Sequence, residues 1–256
     1  MSPLVTRDDI AAAARRCGIV AGATVLVHAS LSRLGHVVGG AEAVVLGLLD
    51  AAPGGTLMAP SQTWLNLDPA TGVHARPEAD WPAIRAALPG YDAGTTPSAG
   101  MGRVAEAIRV WPGACRSSHP VRSWTAIGPR ALALTRLHDL EDVHGEASPL
   151  GAAMTVDACI ALIGVAYASC TALHLAETRA AGRAESTEEL TSWVRETSGR
   201  RRIRYRSPVF DHGDFERIGA AFEAANRIEP VPLGASRMRA PRIRELVPFA
   251  TRAMET

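Results

Sequence analysis

The residues best equipped for chemistry lie at positions 161–180, ALIGVAYASCTALHLAETRA. Residues 161–166 are apolar, Tyr167, Ala168, Ser169 and Cys170 break the run, and helix-forming residues take over at Thr171. A buried strand, a tight turn and a helix start are therefore expected. Residues three apart share a helix face, which points His174 and Glu177 the same way. A carboxylate beside an imidazole raises its basicity and fixes its orientation, the equipment of a general base near neutral pH. The same spacing also serves solvated surface pairs; placement directly after a strand favours the catalytic reading, because open α/β sheets put their sites at the carboxyl ends of strands. Cys170 lies four residues before His174, again same-face spacing, so a thiolate nucleophile is the alternative, unless Cys170 is an inert small hydrophobe.

Further candidates gather where strands end. His28 closes the run TVLVH and opens into ASLSRLGHVVGG; a strand end leading through small residues to a helix collects backbone N–H groups that can meet an anion. Gly39 and Gly40 allow close approach of a phosphate or phosphopantetheine chain, or merely turn the backbone, since neither the dinucleotide fingerprint nor the P-loop pattern is present. Thr95, Thr96, Pro97 and Ser98 with Gly100, Met101 and Gly102 form a second polar loop before a helix. His119, restricted to extended backbone by Pro120, is a site residue or a loop histidine with one structural hydrogen bond. Trp64, Trp81, Asp68, Glu78, Asp80 and Asp92 share one Pro-rich segment, where acids and rings would suit a polycationic, ring-shaped ligand.

Composition narrows the chemistry. All 27 basic residues are arginine, which removes Schiff-base and P-loop lysines from consideration. A net charge of +1 gives no pull toward nucleic acid or acidic membrane. Cys17, Cys115, Cys159 and Cys170 are too scattered for a zinc knuckle or a disulfide framework. The histidines lack a spacing such as HxxxH, so no metal is expected. No run nears the roughly 20 apolar residues of a membrane span, and MSPLVTRDDI is no signal peptide. The expectation is a cytoplasmic protein with reduced thiols.

Positioning such residues takes a scaffold, and 256 residues suffice for one sizeable core. Thr6, Asp8 and Asp9 start a helix that Gly18 stops. Strand 24–28, helix 41–52, a turn at Pro53, Gly54 and Gly55, and strand 56–60 make a βαβ unit with parallel pairing and a right-handed crossover. Residues 61–97 show little periodicity and are too long for an ordinary connection, as an active-site wall or lid would be. Helix 101–110, strand 124–127, helix 131–137, strand 158–164 and the His174 helix complete a core. Composition changes beyond Ala181: residues 196–206 look like a charged hairpin, and 214–226 form an amphipathic helix with Phe215, Ile218, Phe222 and Ala225 at helical spacing.

Taken together, VLVHASLSRLGHVVGGAEAVVLGLLDA, GGTLMAPSQTW, TTPSAGMGRVAEAIRVWPGACRSSHPVRSWTAIGP, GEASPLG and LIGVAYASCTALHLAE resemble the aminoglycoside N3-acetyltransferase (antibiotic N-acetyltransferase) family. The pieces stand in the family's order over most of residues 25–177, and DHGDFERIG and VPLGASRMRAPRIRELVPFA look like its closing segments. The resemblance implies an α/β fold distinct from the general N-acetyltransferase fold: a mixed central sheet with helices on both faces and an antiparallel, helix-capped C-terminal region. One domain over residues 1–256 is expected, with an α/β core (1–180) and a C-terminal substrate-side region (181–256).

The implied activity is transfer of an acetyl group from acetyl-CoA to the 3-amino group of a 2-deoxystreptamine aminoglycoside, a route to antibiotic resistance. His174 matches the catalytic histidine and Glu177 its neighbouring acid. His28, Ser30, Leu31, Leu34, Gly35, Val37, Val38, Gly39, Thr96, Ser98 and Ser118 match the coenzyme side. Trp64, His119, Asp211 and Asp214 would face the aminoglycoside or support the site. Many members carry Asp and Asn where this chain has Ala168 and Cys170, and a second hydroxyl residue at Ala29, which puts coenzyme affinity, substrate range and turnover in question. The alternatives are another small amine or biosynthetic amino sugar as acceptor, or a coenzyme-binding homologue with little turnover. A monomer or homodimer with neither nucleic-acid nor membrane partner is expected. The reading of the residues is general-base catalysis with direct transfer in a ternary complex, where backbone N–H groups near Ser30 and Leu31, or the Thr171 hydroxyl, meet the developing oxyanion.

Overall fold

The computed structural model describes residues 3–180 and 186–255. A short strand β1 (Leu4–Val5) precedes helix α1 (Arg7–Arg16), whose start is held by a reciprocal capping box between Thr6 and Asp9. Then come β2 (Thr24–Ala29), β3 (His36–Val37), α2 (Gly40–Ala51) and β4 (Thr56–Pro60). The long segment that follows contains α3 (Trp81–Ala87) and short 3-10 turns, and leads to α4 (Gly102–Arg109), β5 (Cys115–Arg116), β6 (Trp124–Ile127) and α5 (Ala131–Thr135). Next are α6 (Pro149–Thr155), β7 (Cys159–Ile163), α7 (Leu173–Arg179), β8 (Thr187–Glu196), β9 (Gly199–Pro208), α8 (Phe215–Asn226), β10 (Val231–Leu233), β11 (Ser236–Arg239) and α9 (Ile243–Met254).

The central sheet runs β10-β11-β7-β2-β4-β6-β5. β2 is parallel to both β4 and β7, and the remaining pairings are antiparallel. The sheet is therefore mixed, with the expected parallel βαβ unit near its middle. Side chains alternate across a sheet, and the core divides accordingly. Val25, Val27, Leu57, Ala59, Ala161 and Ile163 face α1, α2 and α4, whereas Leu26, Met58, Ala126, Ile160 and Leu162 face α5 to α9. His28 shares parity with Leu26, so the pleat turns it toward the layer that carries α7.

The C-terminal region is antiparallel and helix-capped as expected, but its hairpin has other bounds. The hairpin pairs Thr187 with Pro208 through Glu196 with Gly199, so the expected span 196–206 held only the turn and one strand. The composition change at Ala181 falls on residues 181–185, outside the described residues. β11 joins the central sheet beside β7, and α9 packs among Leu173, Leu175 and Phe222 in the second core layer. Thus much of the chain after residue 186 builds the scaffold, while the hairpin docks on the long segment through bridges from Leu67 to Ser192 and from Tyr91 to Val194. No helix among the described residues is long and apolar enough to cross a membrane.

Candidate active site

α7 begins just beyond the carboxyl end of β7, after Gly164 turns the chain. Its φ of +66° suits glycine, and a Cβ there would stand 2.8 Å from the Ser30 carbonyl oxygen. The strand ends of β2 and β7 can therefore approach closely. A 3-10 turn at Tyr167–Ser169 follows, and the Ala168 N–H donates to Glu216 Oε2 at 3.0 Å. His174 and Glu177 meet on one face of α7, Nδ1 to Oε2 at 3.0 Å, with side chains 15% and 2% exposed. The Asp211 N–H donates to Glu177 Oε1 at 2.6 Å. Both carboxylate oxygens are thus engaged, and an imidazole donating through Nδ1 leaves Nε2 as its acceptor. Burial lowers the His174 pKa and the Glu177 hydrogen bond opposes that fall, so the ring is neutral at neutral pH.

Aromatic groups fix this ring in place. His144 stacks on it at 5.0 Å, nearly parallel, and Phe210 and Phe215 approach at 4.8 and 4.9 Å. Arg122 Nη1 lies 3.4 Å from His144 Nε2, and its guanidinium sits over Trp64 at 4.7 Å and over Phe210 at 5.4 Å. Burial, then the neighbouring His174 and Arg122, drive His144 well below the usual histidine range. His144, Phe210 and Arg122 were not recognised from sequence. The first sits one residue before GEASPLG, a segment that carried the resemblance, and that adjacency was the available signal.

On the other side opens a cleft of about 400 Å³, lined by His28, Ser30, Gln62, Gly100, Ser169 and Thr171 among others. His28 is buried, its Nε2 has no partner, and burial aided by nearby His174 pushes it down to about 4. It is a neutral imidazole at the floor of the cleft. The Ser30 N–H is committed to the Ile163 carbonyl at 2.9 Å, which removes it from the oxyanion donors considered above. Leu31 opens a 3-10 turn, where an N–H lacks an acceptor within the turn. The Thr171 hydroxyl belongs to the cleft wall.

The remaining expected coenzyme residues scatter. Leu34 and Val37 are buried in the first core layer, and Val38 is exposed beside β3. Gly35 and Gly39 have positive φ, and Gly39 caps α2. Thr96 and Ser98 line a separate depression of about 210 Å³. Thr96 Oγ1 accepts from the Asp92 N–H, and Ser98 Oγ donates to Glu106 at 2.6 Å. Ser118 is exposed, whereas Ser117 beside it is buried between His138 and the Trp124 N–H.

The expected acceptor wall changes most. His119 is buried and its Nδ1 accepts from the Val121 and Arg122 N–H groups, at 3.1 and 3.0 Å. It shapes the turn that presents Arg122 and cannot itself meet a ligand. One ring face of Trp64 is covered by Arg122. Asp68 forms a bidentate pair with Arg85 at 2.8 Å, Asp80 pairs with Arg76, and Asp92 accepts from Thr95. Two of the acids of this segment, Asp68 and Asp80, are thus paired with its own arginines. Asp211 is exposed, with Oδ1 accepting from the Gly213 N–H, and Asp214 pairs with Arg217. Cys170 is sealed in the interior, and burial pushes its thiol up to about 12. A thiolate nucleophile is therefore ruled out by desolvation.

The chain and its fold also resemble known proteins. The model of the aminoglycoside 3-N-acetyltransferase family matches residues 26–255. The aminoglycoside N(3')-acetyltransferase-like protein YokD of Bacillus subtilis is 34% identical over 96% of this chain and 90% of its own length. The aminoglycoside N(3)-acetyltransferase VIII of Streptomyces fradiae is 35% identical over 90% of this chain and 74% of its own. The crystal structure of the aminoglycoside acetyltransferase AAC(3)-Xa superposes with a TM-score of 0.90 at 31% identity, covering 98% of this chain and 93% of that one.

Proposed function

The chain belongs to the aminoglycoside 3-N-acetyltransferase family, and from that premise we propose that it transfers an acetyl group from acetyl-CoA to the 3-amino group of a 2-deoxystreptamine aminoglycoside or a related amino sugar. The observation that carries the reading is the His174–Glu177 pair, held at 3.0 Å on α7 just after Thr171, which lines a cleft of about 400 Å³. The polar lining of that cleft, with buried His28 Nε2 unpartnered and Ser30, Gln62 and Thr171 in its wall, suits the thioester arm of the coenzyme, which supplies an activated acetyl group. Resistance to the antibiotic would follow from loss of its amine's charge.

An alkylammonium cannot attack a carbonyl until it loses a proton. His174 Nε2 accepts that proton and releases it to solvent, while Glu177 stabilises the imidazolium through Nδ1–H. The free amine then forms its bond to the acetyl carbon as the carbon–sulfur bond breaks. The second proton, shed by the nitrogen, passes through His174 to the departing sulfur. The Thr171 hydroxyl and the Leu31 N–H are the candidate donors for negative charge on the carbonyl oxygen. Transfer is direct, because the sole cysteine near α7 is a buried, protonated thiol.

General-base help is worth about 10²- to 10⁴-fold. His174→Ala should lose that much in thiol release from acetyl-CoA with an aminoglycoside present, and keep its coenzyme affinity. Normal turnover by that variant would remove the base assignment. A second reading, in which the acceptor is a less cationic amine, is favoured by the internal pairing of Asp68 and Asp80.

A further inference from the structure

We propose that Arg122 is a specificity-determining residue, filling the aromatic slot beside the catalytic base with the chain's own cation and so favouring acceptors of low positive charge over polycationic ones. The inference rests on the acetyltransferase reading and deepens it. The guanidinium is stacked between Trp64 and Phe210, at 4.7 and 5.4 Å, and Phe210 in turn lies 4.8 Å from the His174 ring. Aromatic faces at such distances attract a cation. An amino sugar docking near His174 would find this slot already taken by a cation of the same sign as its own.

Among the described residues no carboxylate pairs with Arg122 within 4.0 Å, and exposed Asp211, next to Phe210, accepts only from the Gly213 N–H. The Arg122 guanidinium meets neutral His144 through Nη1, and its Nε is buried without a partner. Glu177 and Glu188 act on it from a distance, and Glu177 is already bound by His174 and the Asp211 N–H. Asp68 and Asp80 are spent on Arg85 and Arg76, and Asp214 pairs with Arg217. The hairpin that docks on this segment carries exposed Arg202 and Arg204 together with exposed Glu188 and Glu189, so it adds no net negative charge that would cancel Arg122. A half-buried guanidinium with spare N–H donors repels ammonium groups and welcomes an anionic substituent, so selectivity comes from a repulsive element as much as an attractive one.

Arg122→Met keeps an unbranched side chain that can still pack on the rings and removes the charge; Arg122→Lys keeps the charge. kcat/KM is measured by thiol release with a 2-deoxystreptamine aminoglycoside and with the singly charged glucosamine, at low and high salt. In Arg122→Met the value for the aminoglycoside should rise about tenfold or more relative to that for glucosamine, with the gain shrinking as salt screens the charge. Arg122→Lys should retain most of the wild-type preference. An equal change for both acceptors, or a fall for the aminoglycoside alone, would overturn the proposal. Calorimetric binding of the same two amines to wild type and Arg122→Met decides the matter independently of turnover: tighter aminoglycoside binding by the variant supports the charge argument, and unchanged binding defeats it. Absence of thiol release from every protein with every amine would sink the acetyltransferase reading instead, leaving the binding result to judge Arg122.

Discussion

The two sides of His174 are built from different materials. Toward His28, Ser30 and Thr171 the cleft is made by the ends of β2 and β7 and the turns that leave them, so its shape follows from the sheet. Toward His144, Arg122 and Phe210 the wall is made of side chains from three separate loops, stacked on one another. The first side takes its shape from backbone and sets a few polar side chains, His28, Gln62 and Thr171, into it; the second is a set of side-chain contacts between loops. On the proposed reading, transfer of the acetyl group and choice of acceptor are housed in separate places.

His174 lies between the two sides, and removing it should have the largest effect. His174→Ala is expected to cost about 3–5 kcal/mol in transition-state stabilisation, read as a fall in kcat with unchanged equilibrium binding of acetyl-CoA. A matching loss of coenzyme affinity would show that the cleft depends on the ring, and the two sides would no longer be separable.

Acid should weaken both sides together. His28 at the cleft floor and His138 behind the stacked wall are each pushed down to about 4, chiefly by burial. The unfolded chain takes up these protons near 6.5, so the stability they confer is complete above that pH and lost as pH falls toward 4. Each contributes about 3 kcal/mol of that loss. His119, His144 and His174 are shifted in the same direction. The unfolding free energy from denaturant titrations should drop steeply between pH 6.5 and 4; a flat profile there would contradict the buried, neutral imidazoles.

Smaller effects sharpen the contrast. Asp68→Asn should cost about 1–2 kcal/mol in stability by weakening the pair with Arg85, without altering acceptor preference, because the acid serves the segment and not a ligand. A large rise in KM for the aminoglycoside would restore Asp68 to the acceptor wall. Cys170→Ala should cost about 1 kcal/mol, the scale of a deleted buried methyl, and leave kcat near wild type. Loss of turnover there would revive the covalent thiol route.

What could be read from the chain follows the same division. The βαβ unit, the strand before α7 and the His174–Glu177 contact depend on neighbours close in sequence, where periodicity and spacing speak directly. The type of residue in the long segment was legible, but its partners were not. Asp68 is neutralised by Arg85 from a helix that the segment's prolines concealed, and Arg122 meets His144 22 residues away. His119 was visible as unusual, yet its two backbone hydrogen bonds belong to a turn that no pattern announces. The hairpin was half seen, since Leu190 and Ser192 opposite Tyr205 and Ile203 alternate inward beneath a row of charges that dominates the composition. β10 and β11 are too short to show a period at all.

The most direct test of the base assignment is the pH dependence of kcat with saturating acetyl-CoA and acceptor. The geometry predicts an acid limb whose midpoint lies below 6.5, since burial outweighs Glu177 in setting the His174 pKa. It should move lower still in Glu177→Gln and be missing from the residual rate of His174→Ala. A midpoint at or above 6.5, or the same limb in His174→Ala, would show that another group takes the proton.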